Sequence, residues 1–101
     1  MNRVLLSGIL IAVSTTAMAN YTVKGSVECV DIVKENENEH YREYNKWWLL
    51  GYFTARNYDA DQEVGDGVDS EALYKIALTY CRDNPENDWD DAAIYVYGSL
   101  E

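Results

Sequence analysis

The sequence is poor in the residues from which most active sites are built. It has a single histidine, His40, which lies in a polar run, and only two cysteines. It contains no G-x-S-x-G, H-E-x-x-H or phosphate-binding loop motif. A nucleophile with an oriented base is therefore not expected, and neither is a zinc site. We predict that the chain is not an enzyme and needs no cofactor.

Basic residues are also scarce. The chain has 8 lysines and arginines against 18 acidic residues, for a net charge of −10 at pH 7. Nucleic acids and anionic membranes would be repelled by such a surface, so neither is an expected partner. A basic protein, or a role in which the charge changes with pH, fits better. The high aromatic content, 13% of residues, argues against disorder.

Long apolar runs are absent except at the N-terminus. Val4 to Val13 is apolar apart from Ser7 and Gly8, and Arg3 precedes this run. It is shorter than the roughly 20 residues that span a bilayer. Ala17 to Ala19 has the small-x-small pattern of a signal-peptidase site. The sequence therefore predicts a cleaved signal peptide over residues 1–19, with cleavage after Ala19, and one exported domain over residues 20–101.

The predicted mature domain is small, acidic and equipped for one disulfide. Its 7 basic and 18 acidic residues give a net charge of −11. In an oxidising compartment the two cysteines, Cys29 and Cys81, are expected to form a bridge. Closing a loop of that size stabilises a domain by about 4 kcal/mol in the chain-entropy treatment. The bridge would compensate for the thin core of so short a chain.

The hydrophobic periodicity predicts an all-α fold, a small bundle of about four short helices joined by one disulfide between the first and third. Capping residues and Pro85 set the boundaries of the predicted helices. The first two helices cover residues 27–34 and 38–57. The third begins at Asp69 and ends before Pro85, and the fourth begins at Asn87 or Asp88. The predicted inner faces are Leu73, Ile76, Ala77, Tyr80 and Cys81 on the third helix, and Trp89, Ala92, Ala93, Val96 and Leu100 on the fourth.

The second predicted helix is apolar nearly all round. One face matches the helical template, and core packing is the favoured interpretation for its Tyr44, Trp47 and Tyr52. The other side carries apolar residues too, and for Trp48, Leu49 and Phe53 an interface and the core are equally supported. Either this helix is the central one, or its second face meets another molecule.

The segment YDADQEVGDGVDSE, residues 58–71, resembles a calcium loop at first sight. Asp59, Asp61 and Glu63 occupy the first three ligand positions of an EF-hand. The position that requires glycine is Val64, and the position of the bidentate glutamate is Ser70. These three carboxylates are therefore only a weak candidate for a metal site. A solvated connector between two helices is the preferred interpretation.

Three short motifs resemble the HdeA/HdeB family, and HdeB most closely. They are a cysteine in the first helix, the Trp-Trp pair in KWWLLGYF, and YCRDNPENDW around the second cysteine. The resemblance covers about residues 27–100. It implies a small periplasmic, all-helical, acid-activated chaperone in which Cys29 and Cys81 form the disulfide. The connector over residues 59–69 is longer and more acidic than in that family, and the mature chain is poorer in lysine.

The resemblance also implies how such a protein would work. It would be a homodimer at neutral pH, and an apolar segment would become exposed in acid and bind unfolding client proteins. The residues that correspond to the client and dimer interface are Trp47, Trp48, Leu49, Leu50 and Phe53. The acidic composition agrees with this scheme, because carboxylates protonate below about pH 4 to 5 and the net charge of the mature chain would move from −11 to about +8.

A second hypothesis is a periplasmic immunity protein that inhibits an imported toxin. Tai-type immunity proteins are also small, exported and helical, often with disulfides, although the C-terminal cysteine pattern associated with them is missing here. An acidic surface would suit a basic cell-wall hydrolase as partner. Tight binding at neutral pH would favour this hypothesis over the chaperone.

Overall fold

The computed structural model describes residues 27–101, and this part of the chain is helical without any strand. Its four helices are α1 (Cys29–Glu35), α2 (Glu39–Ala60), α3 (Ser70–Asp83) and α4 (Trp89–Leu100). The all-α prediction is confirmed. The predicted signal peptide, residues 1–19, and its cleavage site after Ala19 lie outside the described residues.

Side-chain caps set the starts of the helices. The amide oxygen of Asn38 accepts hydrogen bonds from the main-chain N–H groups of His40 and Tyr41, at 3.0 and 3.3 Å, and begins α2. The carboxylate of Asp69 accepts from the N–H of Glu71 and begins α3, as predicted. At the start of α4, the N–H of Asp88 donates to the Asp91 carboxylate at 3.0 Å.

Helix α1 begins two residues later than predicted, and tertiary structure explains why. The main chain before α1 pairs with the main chain before α4 through an isolated antiparallel bridge between Glu28 and Asp88. The N–H of Cys29 donates to the carbonyl of Asn87, and the N–H of Trp89 donates to the carbonyl of Val27, both at 2.8 Å. These bonds use main-chain groups in an extended conformation, which excludes residues 27 and 28 from the helix.

Helix α3 is the central element of the described bundle. It contacts α1, α2 and α4, and the disulfide between Cys29 and Cys81 joins it to α1, as predicted. Its buried arc differs in part from the predicted face, because Tyr74 and Leu78 are buried while Ile76 is exposed. A helix surrounded by three others buries a wider arc than one amphipathic stripe. The predicted face of α4 is confirmed, with Leu100 at its margin.

The prediction for α2 is wrong about which side faces the core. Leu49 and Phe53 are buried, whereas Tyr44 and Trp47 are 64% and 63% exposed. The buried stripe also contains Asn45, which is only 1% exposed. A polar residue in the middle of the true inner stripe made the opposite, aromatic stripe look like the better match to the helical template. Of the predicted core residues on this helix, only Tyr52 packs against the core.

Candidate functional site

The solvent side of α2 carries an uncharged aromatic surface, which we call the aromatic face. It consists of Tyr44, Trp47, Gly51, Ala55 and Tyr58, spaced three or four residues apart so that they share one side of the helix. Tyr58 is 90% exposed, and a Cβ atom placed on Gly51 would meet nothing within 4 Å. The face runs for about 21 Å. Single exposed aromatic residues are ordinary, whereas three on one side of a helix make a candidate contact surface.

The five residues predicted as an interface do not lie on one surface. Trp47 belongs to the aromatic face, and Leu49 and Phe53 point the opposite way into the core. Trp48 and Leu50 lie at the two margins, half-buried and packed against the core residues. All five become accessible together only if α2 separates from the rest of the bundle.

The inner side of α2 is attached by a small set of polar contacts as well as by apolar packing. The indole Nε1 of Trp89 donates to the carbonyl of Asn45 at 3.0 Å, and the Asn45 side chain donates to Glu35 at 2.9 Å. Farther along, the guanidinium of Arg56 lies 4.2 Å from the centre of the Tyr97 ring. These contacts join α2 to α4 and to the end of α1.

One ion-pair cluster connects α2 to α3. The Lys46 ammonium lies 3.0 Å from the Glu43 carboxylate on its own helix and 3.1 Å from the Glu71 carboxylate on α3. The hydrogen bonds to Glu43 and then to Glu71 raise the pKa of Lys46 above its ordinary value. Within residues 27–101 these are the only salt bridges. Most of the described carboxylates therefore form no salt bridge with lysine or arginine.

Many carboxylates lie instead at the N-terminal ends of the helices. Each of the four described helices has at least one in its cap or first turn, namely Asp31 in α1, Glu39 in α2, Asp69 and Glu71 in α3, and Asp88, Asp90 and Asp91 in α4. A negative charge at this end stabilises a helix through the macrodipole, typically by about 0.3–1 kcal/mol. The acidic composition thus supports the helices directly.

A shallow groove of about 750 Å³ borders the aromatic face, and we call it the connector groove. It lies between the C-terminal half of α2 and the connector over residues 61–69. Phe53, Leu73 and Val64 line its base, and Trp47 and Tyr58 are shared with the aromatic face. The groove was not visible in the sequence, because it forms only when the connector folds back against α2. The mixed acidic and apolar composition of the connector was the only available signal.

The carboxylates of the connector do not gather into a metal site. In the described part of the chain, the only acidic, cysteine or histidine groups with three ligand atoms within 4.8 Å of one another are Asp88, Asp90 and Asp91. Asp59, Asp61 and Glu63 are exposed and are not among them. The cluster at α4 already accepts main-chain hydrogen bonds, since Asp91 binds the N–H of Asp88 and Asp90 binds the N–H of Asp91. Its geometry is that of a helix start.

No protein-family model, curated protein or solved structure matches the chain. Among residues 27–101, no helix combines the length and the hydrophobicity needed to cross a membrane. The features that bear on function are therefore those of the molecule itself, the aromatic face, the carboxylates at the helix starts and the connector groove.

Proposed function

We propose that this chain is an exported, non-enzymatic protein-binding module that acts as an acid-activated chaperone. At neutral pH the bundle is closed. In acid, α2 separates from α3 and α4 and presents its apolar residues to unfolding client proteins. One observation carries the proposal: α2 is apolar on both sides, and the helices of the bundle begin with carboxylates.

Acid would weaken the closed state at every helix. A carboxylate that is stabilised by a helix N-terminus contributes to stability while it is ionised, and this contribution is lost as the pH falls and the carboxylate protonates. Each such interaction is typically worth about 0.3–1 kcal/mol, which matters in a small domain of marginal stability. The helix starts, rather than a network of salt bridges, would make the fold sensitive to acid.

The contact between α2 and α3 would weaken in the same pH range. Within residues 27–101, the pair between Lys46 and Glu71 is the only salt bridge that joins two helices, and it requires an ionised carboxylate. Loss of this pair acts on α2 itself.

The position of the disulfide supports opening that is limited to α2. The bridge joins α1 to α3, so these two helices stay together whatever the pH. The covalent links from α2 to these two helices are the short turn over residues 36–38 and the connector over residues 61–69. Separation of α2 would expose Leu49 and Phe53 beside Trp48 and Leu50, and would unite the five predicted interface residues on one accessible segment.

The aromatic face supports the proposed homodimer at neutral pH. It is uncharged within a chain of net charge −10, so two copies can approach there with little repulsion. The small residues Gly51 and Ala55 between the large rings leave room for a second helix. In this arrangement the aromatic face is covered at neutral pH and becomes accessible together with the inner side of α2 in acid.

The test compares pH 7 with pH 3 in three measurements: oligomer size by sedimentation, exposure of apolar surface by dye binding, and suppression of client aggregation. We expect a dimer without chaperone activity at pH 7, and an opened chain that suppresses aggregation at pH 3. The double variant Trp47→Gln/Leu50→Gln should lose most of the suppression. The control Ile94→Gln/Tyr95→Gln changes two exposed residues on α4 and should retain it. A closed chain without activity at pH 3 would refute the proposal.

A folded-state inhibitor is the second candidate, and the exposure of the aromatic face at neutral pH favours it. Such a face beside a strongly acidic surface would suit a basic toxin or cell-wall hydrolase. Under this alternative, the Trp47→Gln/Leu50→Gln variant would lose binding to such an enzyme at pH 7. The pH at which this variant has its effect distinguishes the two functions.

A further inference from the structure

The connector groove has an apolar base and an acidic rim. Phe53 and Leu73, each 4% exposed, form the base together with Leu50 and the half-buried Val64 and Val68. The exposed carboxylates of Asp61, Glu63 and Asp66 form the rim. The exposed rings of Trp47 and Tyr58 complete the wall on the side of α2.

The groove is held in shape by specific bonds. The Asn57 side chain donates to the carbonyl of Val64 and accepts from its N–H, both at 3.0 Å, so it holds the connector against α2. The Oδ1 atom of Asn57 also accepts from the Tyr97 hydroxyl at 2.8 Å, which ties this anchor to α4. A surface that is already ordered loses less entropy on binding than a loop that must first fold.

Gly65 is needed where the connector passes over the base. Its φ of +87° lies in the left-handed region that disfavours side chains. A Cβ atom placed there would lie 3.1 Å from Cδ2 and Cε2 of Phe53. The main chain therefore packs directly on the Phe53 ring, and the acidic residues on either side of Gly65 are held at the rim. Adjacent turns from Asp66 N–H to Glu63 and from Val68 N–H to Gly65, at 3.1 and 3.0 Å, support this position.

Within residues 27–101, no basic residue lines the groove: none of its lining residues is a lysine, arginine or histidine. Lys46 is held by Glu43 and Glu71, and Arg56 stacks on Tyr97. The rim therefore presents three carboxylates above an apolar base and next to two aromatic rings. This combination is complementary to lysine or arginine, which can pair with a carboxylate and lie against an aromatic ring.

We propose that the connector groove binds a basic segment of a partner protein, with an apolar side chain of that segment on Phe53 and Leu73 and its lysine or arginine residues at the rim. A second copy of this chain is a poor occupant, since it carries 18 acidic residues against 8 basic ones. The groove is formed in the closed bundle, so this inference does not depend on opening in acid. Because the proposed dimer would cover Trp47 and Tyr58, the basic segment is expected to bind the monomer and to compete with dimer formation.

The test uses the full disulfide-bonded chain at pH 7 and a short synthetic peptide of lysine and leucine, with binding measured by calorimetry. The variant Asp61→Asn/Glu63→Gln/Asp66→Asn neutralises the rim. The matched control Asp83→Asn/Glu86→Gln/Glu101→Gln removes the same charge from exposed residues outside the groove. We expect the rim variant to bind at least about tenfold more weakly, which corresponds to about 1.4 kcal/mol, and the control to change little. Equal weakening of both variants would show diffuse attraction to an acidic protein and would overturn the proposal.

The apolar half of the groove has its own control. Trp47→Ala should weaken peptide binding, whereas Tyr44→Ala, on the same aromatic face but outside the groove, should not. A lysine and serine peptide should bind more weakly than the leucine peptide, and an aspartate and leucine peptide should not bind. Two results would show that the groove has another occupant and would overturn the proposal. One is displacement of the peptide by millimolar Ca²⁺, and the other is a dimer that forms in the native protein and dissociates in the rim variant.

Discussion

The indole Nε1 of Trp89 donates a hydrogen bond of 3.0 Å to the main-chain carbonyl of Asn45, and the two residues are 44 positions apart in the chain. This bond joins the first residue of α4 to the buried stripe of α2. Both residues are almost fully buried, so no water competes for the bond. It is a specific attachment between α2 and the bundle.

Replacing Trp89 with phenylalanine is expected to destabilise the fold by about 2 kcal/mol or more, because it removes this buried bond and leaves a cavity. The matched control is the same substitution at Trp47, which is exposed and should change the free energy of unfolding by less than about 0.5 kcal/mol. Urea unfolding at pH 7 measures both values. Equal effects for the two variants would contradict the assigned role of Trp89.

Reduction of the Cys29–Cys81 bridge is expected to cost about 4 kcal/mol of stability, because the bridge closes a loop of 52 residues. Since a domain of this size has only about 5–10 kcal/mol in total, the reduced protein should retain only about 1–6 kcal/mol and should unfold at a clearly lower urea concentration. Urea unfolding with and without a thiol reductant measures the difference. The Cys29→Ala/Cys81→Ala variant should show no response to the reductant, and an unchanged midpoint in the native protein would contradict the expectation.

Asn57→Ala is expected to loosen the connector. The substitution removes both hydrogen bonds to the main chain of Val64 and one acceptor of the Tyr97 hydroxyl. Hydrogen exchange at the Val64 amide should accelerate at least about tenfold, which corresponds to a bond worth about 1–1.5 kcal/mol. Thr54→Ala is the control, because the only side-chain bond that it removes on this helix is to the carbonyl of Leu50. Slow exchange at Val64 in the Asn57 variant would mean that other contacts hold the connector.

The buried phenol of Tyr74 leads us to expect that the folded protein loses stability at alkaline pH. Burial raises the pKa of its phenol from 10 to about 12, and its hydroxyl donates to Asn36 at 2.7 Å. The unfolded chain therefore releases this proton first, and stability falls by up to about 3 kcal/mol as the pH rises from 10 to 12. Below pH 10 this contribution does not change.

The check is unfolding as a function of pH. Tyr74→Phe should flatten the alkaline decline, whereas Tyr58→Phe, at a position that is 90% exposed, should leave it unchanged. A smaller slope should remain in the Tyr74 variant, because the raised pKa of Lys46 gives a contribution that is also lost at high pH. An alkaline decline of equal size in the two tyrosine variants would contradict the assignment.

The local features of the fold were predictable from the sequence. Asp69 and Asp88 mark helix starts because short acidic side chains accept hydrogen bonds from the free N–H groups there, and this chemistry depends on neighbouring residues alone. The disulfide followed from the presence of only two cysteines. Its position between the first and third helices was also predicted correctly.

The orientation of α2 was not predictable, because it depends on long-range contacts. Asn45 lies in the buried stripe and is satisfied by Glu35 and by the main-chain bond from Trp89, neither of which is visible in the local pattern. The same limit applies to the connector groove. Asn57 and Gly65 acquire their roles only when the connector returns over Phe53. Tertiary structure decides such positions, and periodicity alone does not.

The position of the disulfide affects whether the proposed opening of α2 can be reversed. The covalent ring closed by Cys29 and Cys81 contains α1, α2 and α3, whereas α4 lies outside it. If α2 swings out, it remains part of the ring and stays near its docking surface at an effective concentration on the order of millimolar. Its return is then a first-order step that needs no partner and no energy source. Restoring neutral pH would be enough to release a bound client and reset the molecule.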